Sequence, residues 1–246
     1  MHVIKSGLIA IGIYGTPVQS MPPRLVRTFR TKIHSAIVDK YKSRSCTIDL
    51  LVDGNNIDPT FPVLADPIVW MLVADWNCIV PHHTIMRSLV FAIQEVESGR
   101  VSWNNAPGPI ANAVLSLFHI GWKKLQVGKW MRPDTSIVIL QNHDPMSIKA
   151  WLHHDIERLL MSNISDCETY ADIKQDYWFE PIRAALRQKE SESWTKIHKG
   201  MLYCLAANGS WPSDRLLKSG YDCSNLCKCG LVHTTFHSLY NCTLST

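Results

Sequence analysis

At 246 residues the chain can hold one large domain or two small ones, and its 46% apolar share with nine Trp is that of a folded protein rather than a disordered tract. The formal charge of +4 is modest and uneven: residues 24–44 carry seven Lys/Arg against the single acid Asp39, so that segment is +6 and the remainder −2. No apolar run approaches the roughly eighteen residues of a membrane span, which excludes a transmembrane helix, and the apolar stretch Gly7–Tyr14 is a poor match to a signal peptide because it is short and holds two glycines.

Taken in chain order, Leu8 to Tyr14 reads as a short buried strand or helix end. Pro22-Pro23 opens a helix over about 22–42, with Leu25, Phe29, Ile33 and Ile37 as its apolar stripe and Arg24, Arg27 and Arg30 on the other side. Residues 43–62 are polar and turn-rich around Asp53-Gly54-Asn55-Asn56 and are expected to be a loop. Asp66-Pro67 reads as a cap with Pro at the first helical position, starting a buried helix over about 67–78. A second helix is expected over 81–98, with Ile85, Leu89, Ala92, Ile93 and Val96 inward and Gly99 ending it. Gly108-Pro109 starts a third, to about Lys124, carrying Ile110, Val114, Leu117 and Ile120.

Ser136–Leu140 is the one convincing strand, and residues 125–130 are its expected hairpin partner. Asp144-Pro145 repeats the cap-plus-Pro signal and starts a helix to about Met161. Helices near 167–189, 191–207 and 211–219 follow, the last ended by Gly220. The fold class read from this order is mainly α: a multi-helix bundle with a minor β-hairpin and a small C-terminal zinc knuckle, divided as 1–62, 63–220 and 221–246.

The tail carries the most specific chemistry. Cys227-Lys228-Cys229-Gly230, then His237 and Cys242, set soft sulfur and imidazole at the short spacing that a tetrahedral Zn²⁺ requires. All four ligands come from protein, so the expected site is closed and structural and does not activate water. Cys223 in place of Cys227, and His233 in place of His237, are alternatives that the spacing leaves open. Cys46, Cys78, Cys167 and Cys204 are scattered singly, as buried free thiols often are, and the cysteine usage as a whole reads as a reducing, intracellular compartment, nuclear or cytoplasmic. The sequons at Asn163, Asn208 and Asn241 are of a length that arises by chance.

The run Met201–Leu217, then Gly220, Cys227-x-Cys229-Gly230, Thr235-x-His237 and Cys242, resembles the C-terminal end of reverse transcriptases from non-LTR retrotransposons. Ile13-Tyr14-Gly15, followed by Leu25–Thr31, is similar to the segment that leads from palm into thumb in the same family, and Gly108-Pro109 and Gly121-Trp122 fit the connector more loosely. The resemblance implies a thumb and connector followed by a Cys-Cys-His-Cys knuckle, in a C-terminal fragment of a longer polyprotein. It implies binding of RNA or DNA, as template–primer or element RNA, through Arg24, Arg27, Arg30 and Lys32 on the basic helix and Lys228 and Tyr240 on the knuckle.

Two departures from the family matter. One residue, Lys228, separates the first two cysteines where the family often has two, which changes the turn whose amides support the thiolates. There is also no Asp-Asp pair of the polymerase type, so two-metal nucleotide transfer has no carboxylates to work with, and no catalytic residue is assigned. The expected protein binds nucleic acid without polymerising it, or serves a polymerase palm encoded elsewhere. A zinc-stabilised helical interaction module with no nucleic-acid role is the competing class. His82-His83 and His153-His154 are read as structural or surface groups, since adjacent helical side chains diverge by about 100°.

Overall fold

The computed structural model describes residues 13–37, 45–53, 57–165, 179–206, 212–218, 220–234, 237 and 242. Nine α-helices fall among the described residues: α1 (Pro23–Ile37), α2 (Cys46–Asp53), α3 (Thr60–Trp76), α4 (His82–Glu97), α5 (Pro109–His119), α6 (Pro145–Ser165), α7 (Glu180–Arg187), α8 (Lys196–Ala206) and α9 (Ser213–Lys218). A three-stranded antiparallel sheet, β1 (Lys123–Gln126), β2 (Lys129–Met131) and β3 (Ile137–Ile139), lies between α5 and α6 in the chain. The protein is therefore mainly helical with a minor sheet. Its two compact units are discontinuous in sequence: residues 1–40 with 53–178, and residues 41–52 with 179–246.

The first unit is built on α3, which packs against α5 and α6, while α4 packs against α5. Helix α3 starts at Thr60, well before the expected Asp66-Pro67 cap, and Pro67 sits inside it. An interior proline costs about 3 kcal/mol. Here Phe61, Val63, Leu64, Ala65, Ile68, Val69, Met71 and Leu72 are all buried, and burying a single large apolar side chain is worth roughly 1.5–3 kcal/mol, so packing outweighs the penalty. The start is fixed by Asp58, whose carboxylate accepts the Thr60 amide at 2.9 Å. Helix α4 matches its sequence pattern, with Ile85, Leu89, Ala92 and Ile93 buried. On α1 the buried positions are Val26 and Ile33, and Leu25 is 56% exposed, so the inward face is rotated from the one expected.

Helix α5 ends at His119 rather than Lys124. Gly121 adopts φ +88°, and the Trp122 amide returns to Leu117 O at 2.9 Å, which turns the chain so that Trp122 is buried and Lys123 starts a strand. The expected single partner strand over 125–130 is divided by a turn at Val127-Gly128, where Gly128 has φ +75°, so the sheet has three strands instead of two. A side chain at 128 would also meet Gln141 at 2.8 Å. Trp130 and Val138 are paired across β2 and β3 and point into the core, where Trp130 meets Phe118 edge-on at 5.4 Å. The buried Asp155 of α6 accepts the Trp122 indole N–H at 2.8 Å and the Arg132 guanidinium at 2.9 Å, tying sheet to helix. Asp144 caps α6 as expected, accepting the Ser147 amide at 2.9 Å.

In the second unit, residues 46–53 form a helix where a loop was expected. Ile48, Leu50, Leu51 and Val52 are buried, and two carbonyls of α2 find side-chain donors: Arg183 on Leu51 O, in the last turn, at 2.7 Å and Tyr203 on Asp49 O at 3.0 Å. Helices α7 and α8 pack on each other. The Trp194 indole N–H caps Ala185 O at 3.1 Å, and its ring stacks on His198.

Candidate metal centre

The tail after α9 folds as a tight reversal. The Cys227 amide donates to Leu231 O at 2.7 Å, the Gly230 amide to Cys227 O at 2.9 Å, and the His233 amide to Asn225 O at 2.7 Å, with Leu226 bridged to Val232. Gly230 holds φ +87°, a left-handed conformation that a residue with a Cβ adopts only with strain. The reversal leaves Lys228 exposed between half-buried Cys227 and Cys229.

His237 and Cys242 close the group. His237 is buried, its amide donating to the Thr234 hydroxyl at 3.0 Å. Its Nε2 lies 3.0 Å from Cys229 Sγ, and Cys227 Sγ lies 3.6 Å from Cys242 Sγ. One donor atom from each of these residues falls within 4.8 Å of every other, so Cys227, Cys229, His237 and Cys242 can hold a metal ion. The edge between two sulfurs in a tetrahedron with metal–sulfur bonds of 2.3 Å is about 3.8 Å, close to the observed sulfur separation.

The electrostatics suit a ligand set. The Cys227 thiol is lowered to about 6, chiefly because the Cys229 amide donates to its sulfur, with His237 and Cys242 adding to the effect. The Leu231 amide acts in the same direction on Cys229, but burial and the neighbouring Cys227 and Cys242 sulfurs outweigh it, and Cys229 is pushed up. A one-residue spacer thus keeps the amide-to-sulfur support that such turns supply.

Neither open alternative joins the cluster. Cys223 Sγ lies against Ser213 O at 3.5 Å. His233 Nδ1 accepts the Ser213 amide at 3.1 Å and faces the Ser213 hydroxyl at 2.7 Å. Both side chains fasten the reversal to the first residue of α9. The sequence reading missed this role, because nothing in the spacing places Ser213 next to residues ten and twenty positions away.

Of the residues expected to meet nucleic acid, Arg24, Arg27 and Lys32 are exposed on α1, and Lys228 is exposed on the reversal. Arg30 is placed differently: its guanidinium meets the fully buried Asp58 carboxylate at 2.8–2.9 Å. The acid is twenty-eight positions away, so the helical pattern of α1 gave no sign of it. Tyr240 lies outside the described residues. His82 pairs with Asp75 at 2.9 Å, and His153 meets Phe61 edge-on, in keeping with structural roles for both. Among the described residues, no helix is long and apolar enough to cross a membrane.

No protein-family model, curated protein or solved structure matches this chain.

Proposed function

We propose that this chain is a nucleic-acid-binding element of reverse-transcriptase type, comparable to the thumb, connector and knuckle of a non-LTR retrotransposon polyprotein, working in a reducing nuclear or cytoplasmic compartment. The observation that carries the reading is the convergence of Cys227, Cys229, His237 and Cys242 donors within 4.8 Å. Three sulfurs and one imidazole favour Zn²⁺ over harder cations, and a set without an open position gives the ion a structural role. Bound there, Zn²⁺ would fasten a tail too short to build a core from its own sequence, coupling metal affinity to folding.

The charge distribution supports a polyanionic partner. Arg24, Arg27 and Lys32 form an exposed basic face on α1, a helix that contains no acid. The unit that holds the metal cluster has ten Lys/Arg against six Asp/Glu, whereas the other unit is balanced. Lys and Arg contacts to phosphate position RNA or DNA without reading its sequence. These 246 residues hold no adjacent aspartates of the polymerase type, so nucleotide transfer would need a palm outside them. The test is an electrophoretic shift of mixed-sequence RNA and duplex DNA by the zinc-loaded chain at rising salt. Binding that weakens steadily with salt is expected, and no shift at low salt would end the proposal.

A second reading, a zinc-stabilised protein-interaction module, is favoured by one observation. Leu226, Leu231 and Val232 are 51%, 58% and 46% exposed on the reversal itself. Salt-insensitive binding to a protein partner, with no affinity for nucleic acid, would select it.

A further inference from the structure

The cluster is not symmetric, and the asymmetry suggests how it would respond to oxidation. Cys227 Sγ and Cys242 Sγ face each other at 3.6 Å, while Cys229 Sγ lies 3.0 Å from His237 Nε2, an imidazole that also reaches Cys227. All three sulfurs are half-buried, so a small oxidant reaches them, whereas Cys223 is held on Ser213 O. The hydrogen bonds from Gly230 to Cys227 O and from Cys227 to Leu231 O fix the backbone between Cys227 and Cys229 as a tight turn. A disulfide across that single-residue spacer would have to open the turn. A bond from Cys227 to Cys242 closes a larger loop, containing Cys229 and His237, from side chains that already meet.

We infer that Cys227 and Cys242 form a redox-sensitive pair whose oxidation by hydrogen peroxide releases the metal. The inference rests on the zinc reading above and adds a regulation of the same site. In the first step one thiolate attacks peroxide: a sulfur–oxygen bond forms, the oxygen–oxygen bond breaks and hydroxide leaves, giving a sulfenic acid. The second sulfur then attacks the first, the sulfur–sulfur bond forms, and the oxygen departs as hydroxide. The hydroxides take up protons and leave as water. Two thiolates, one peroxide and two protons yield one disulfide and two waters, with two electrons passing from sulfur to peroxide. Two of the four donors are then lost, and the remaining Cys229–His237 pair is too small a set to retain a tetrahedral ion. A dithiol restores both thiols by thiol–disulfide exchange, its own two sulfurs ending as a disulfide.

The test uses the full chain loaded with Zn²⁺ and treated with stoichiometric hydrogen peroxide. Released metal is read with a chromophoric chelator, and the disulfide by non-reducing peptide mapping. One zinc released per disulfide, a dominant Cys227–Cys242 linkage, and recovery of zinc binding after dithiothreitol are expected, unchanged in Cys223→Ser. A dominant Cys227–Cys229, Cys229–Cys242 or Cys223-containing linkage, over-oxidation without a disulfide, or zinc retained after treatment would overturn the inference. A chain that holds no stoichiometric zinc before peroxide overturns the zinc reading itself, so the two failures are distinguishable.

Discussion

The imidazole of His233 receives the backbone amide of Ser213 at 3.1 Å, so a histidine four residues from the candidate ligand His237 caps a helix instead of joining the Cys/His cluster. The two histidines are therefore separable by mutation. His233→Ala should destabilise the second unit by about 1 kcal/mol, the usual cost of a lost cap, and leave metal stoichiometry unchanged. His237→Ala should abolish stoichiometric metal. Denaturant midpoints alongside metal content check both, and loss of metal in His233→Ala would mean that the ligand set is wrong.

Arg30 and its neighbours on α1 separate in the same way. Arg24→Ala and Arg27→Ala remove exposed cations, so each should reduce the salt slope of nucleic-acid binding by about one while leaving stability nearly unchanged. Arg30→Ala instead strands the buried Asp58 carboxylate and should cost about 3–5 kcal/mol of folding stability. Salt titrations of binding together with urea unfolding distinguish the outcomes. A change in salt slope for a folded Arg30 variant, equal to that of Arg24, would contradict the pairing.

The Asp155 junction predicts a graded series. Asp155→Ala leaves Arg132 and Trp122 without their shared acceptor and should destabilise by about 3–5 kcal/mol. Trp122→Phe removes a single donor and should cost less, in the range of about 1–3 kcal/mol with the loss of packing included. Equal effects in urea unfolding would mean that Arg132, which also meets Asp134 at 2.9 Å, does not depend on Asp155.

How far the sequence could anticipate the molecule follows from how local each feature is. Helix α4 was readable because Ile85, Leu89, Ala92 and Ile93 repeat along one face and Gly99 ends it. The four converging donors were readable because their spacing in the tail is itself the signal. Helix α2 was not, because two of its carbonyls, Leu51 O and Asp49 O, are met by Arg183 and Tyr203, more than a hundred residues away. The start of α3 was hidden by Pro67, a local breaker overruled by packing. The anchoring of His233 and Cys223 on Ser213 also depends on a tertiary contact that no spacing rule carries.

His153 gives a pH dependence. Burial, aided by the nearby Lys149 charge, lowers its pKa from 6.5 to about 4. The unfolded chain therefore binds a proton that the folded chain refuses between those values. The neutral imidazole contributes stability above pH 6.5 that falls away as the pH drops toward about 4 and levels off below. Urea midpoints followed across that window should decline in the wild type and decline less in His153→Leu. Parallel curves would contradict this role for His153.

The most direct test of the central claim is zinc K-edge X-ray absorption on the metal-loaded chain. Three sulfurs at about 2.3 Å and one nitrogen at about 2.0–2.1 Å, at one zinc per chain, are predicted for Cys227, Cys229, Cys242 and His237. A four-sulfur shell, an oxygen-rich shell, or no stoichiometric zinc would contradict it.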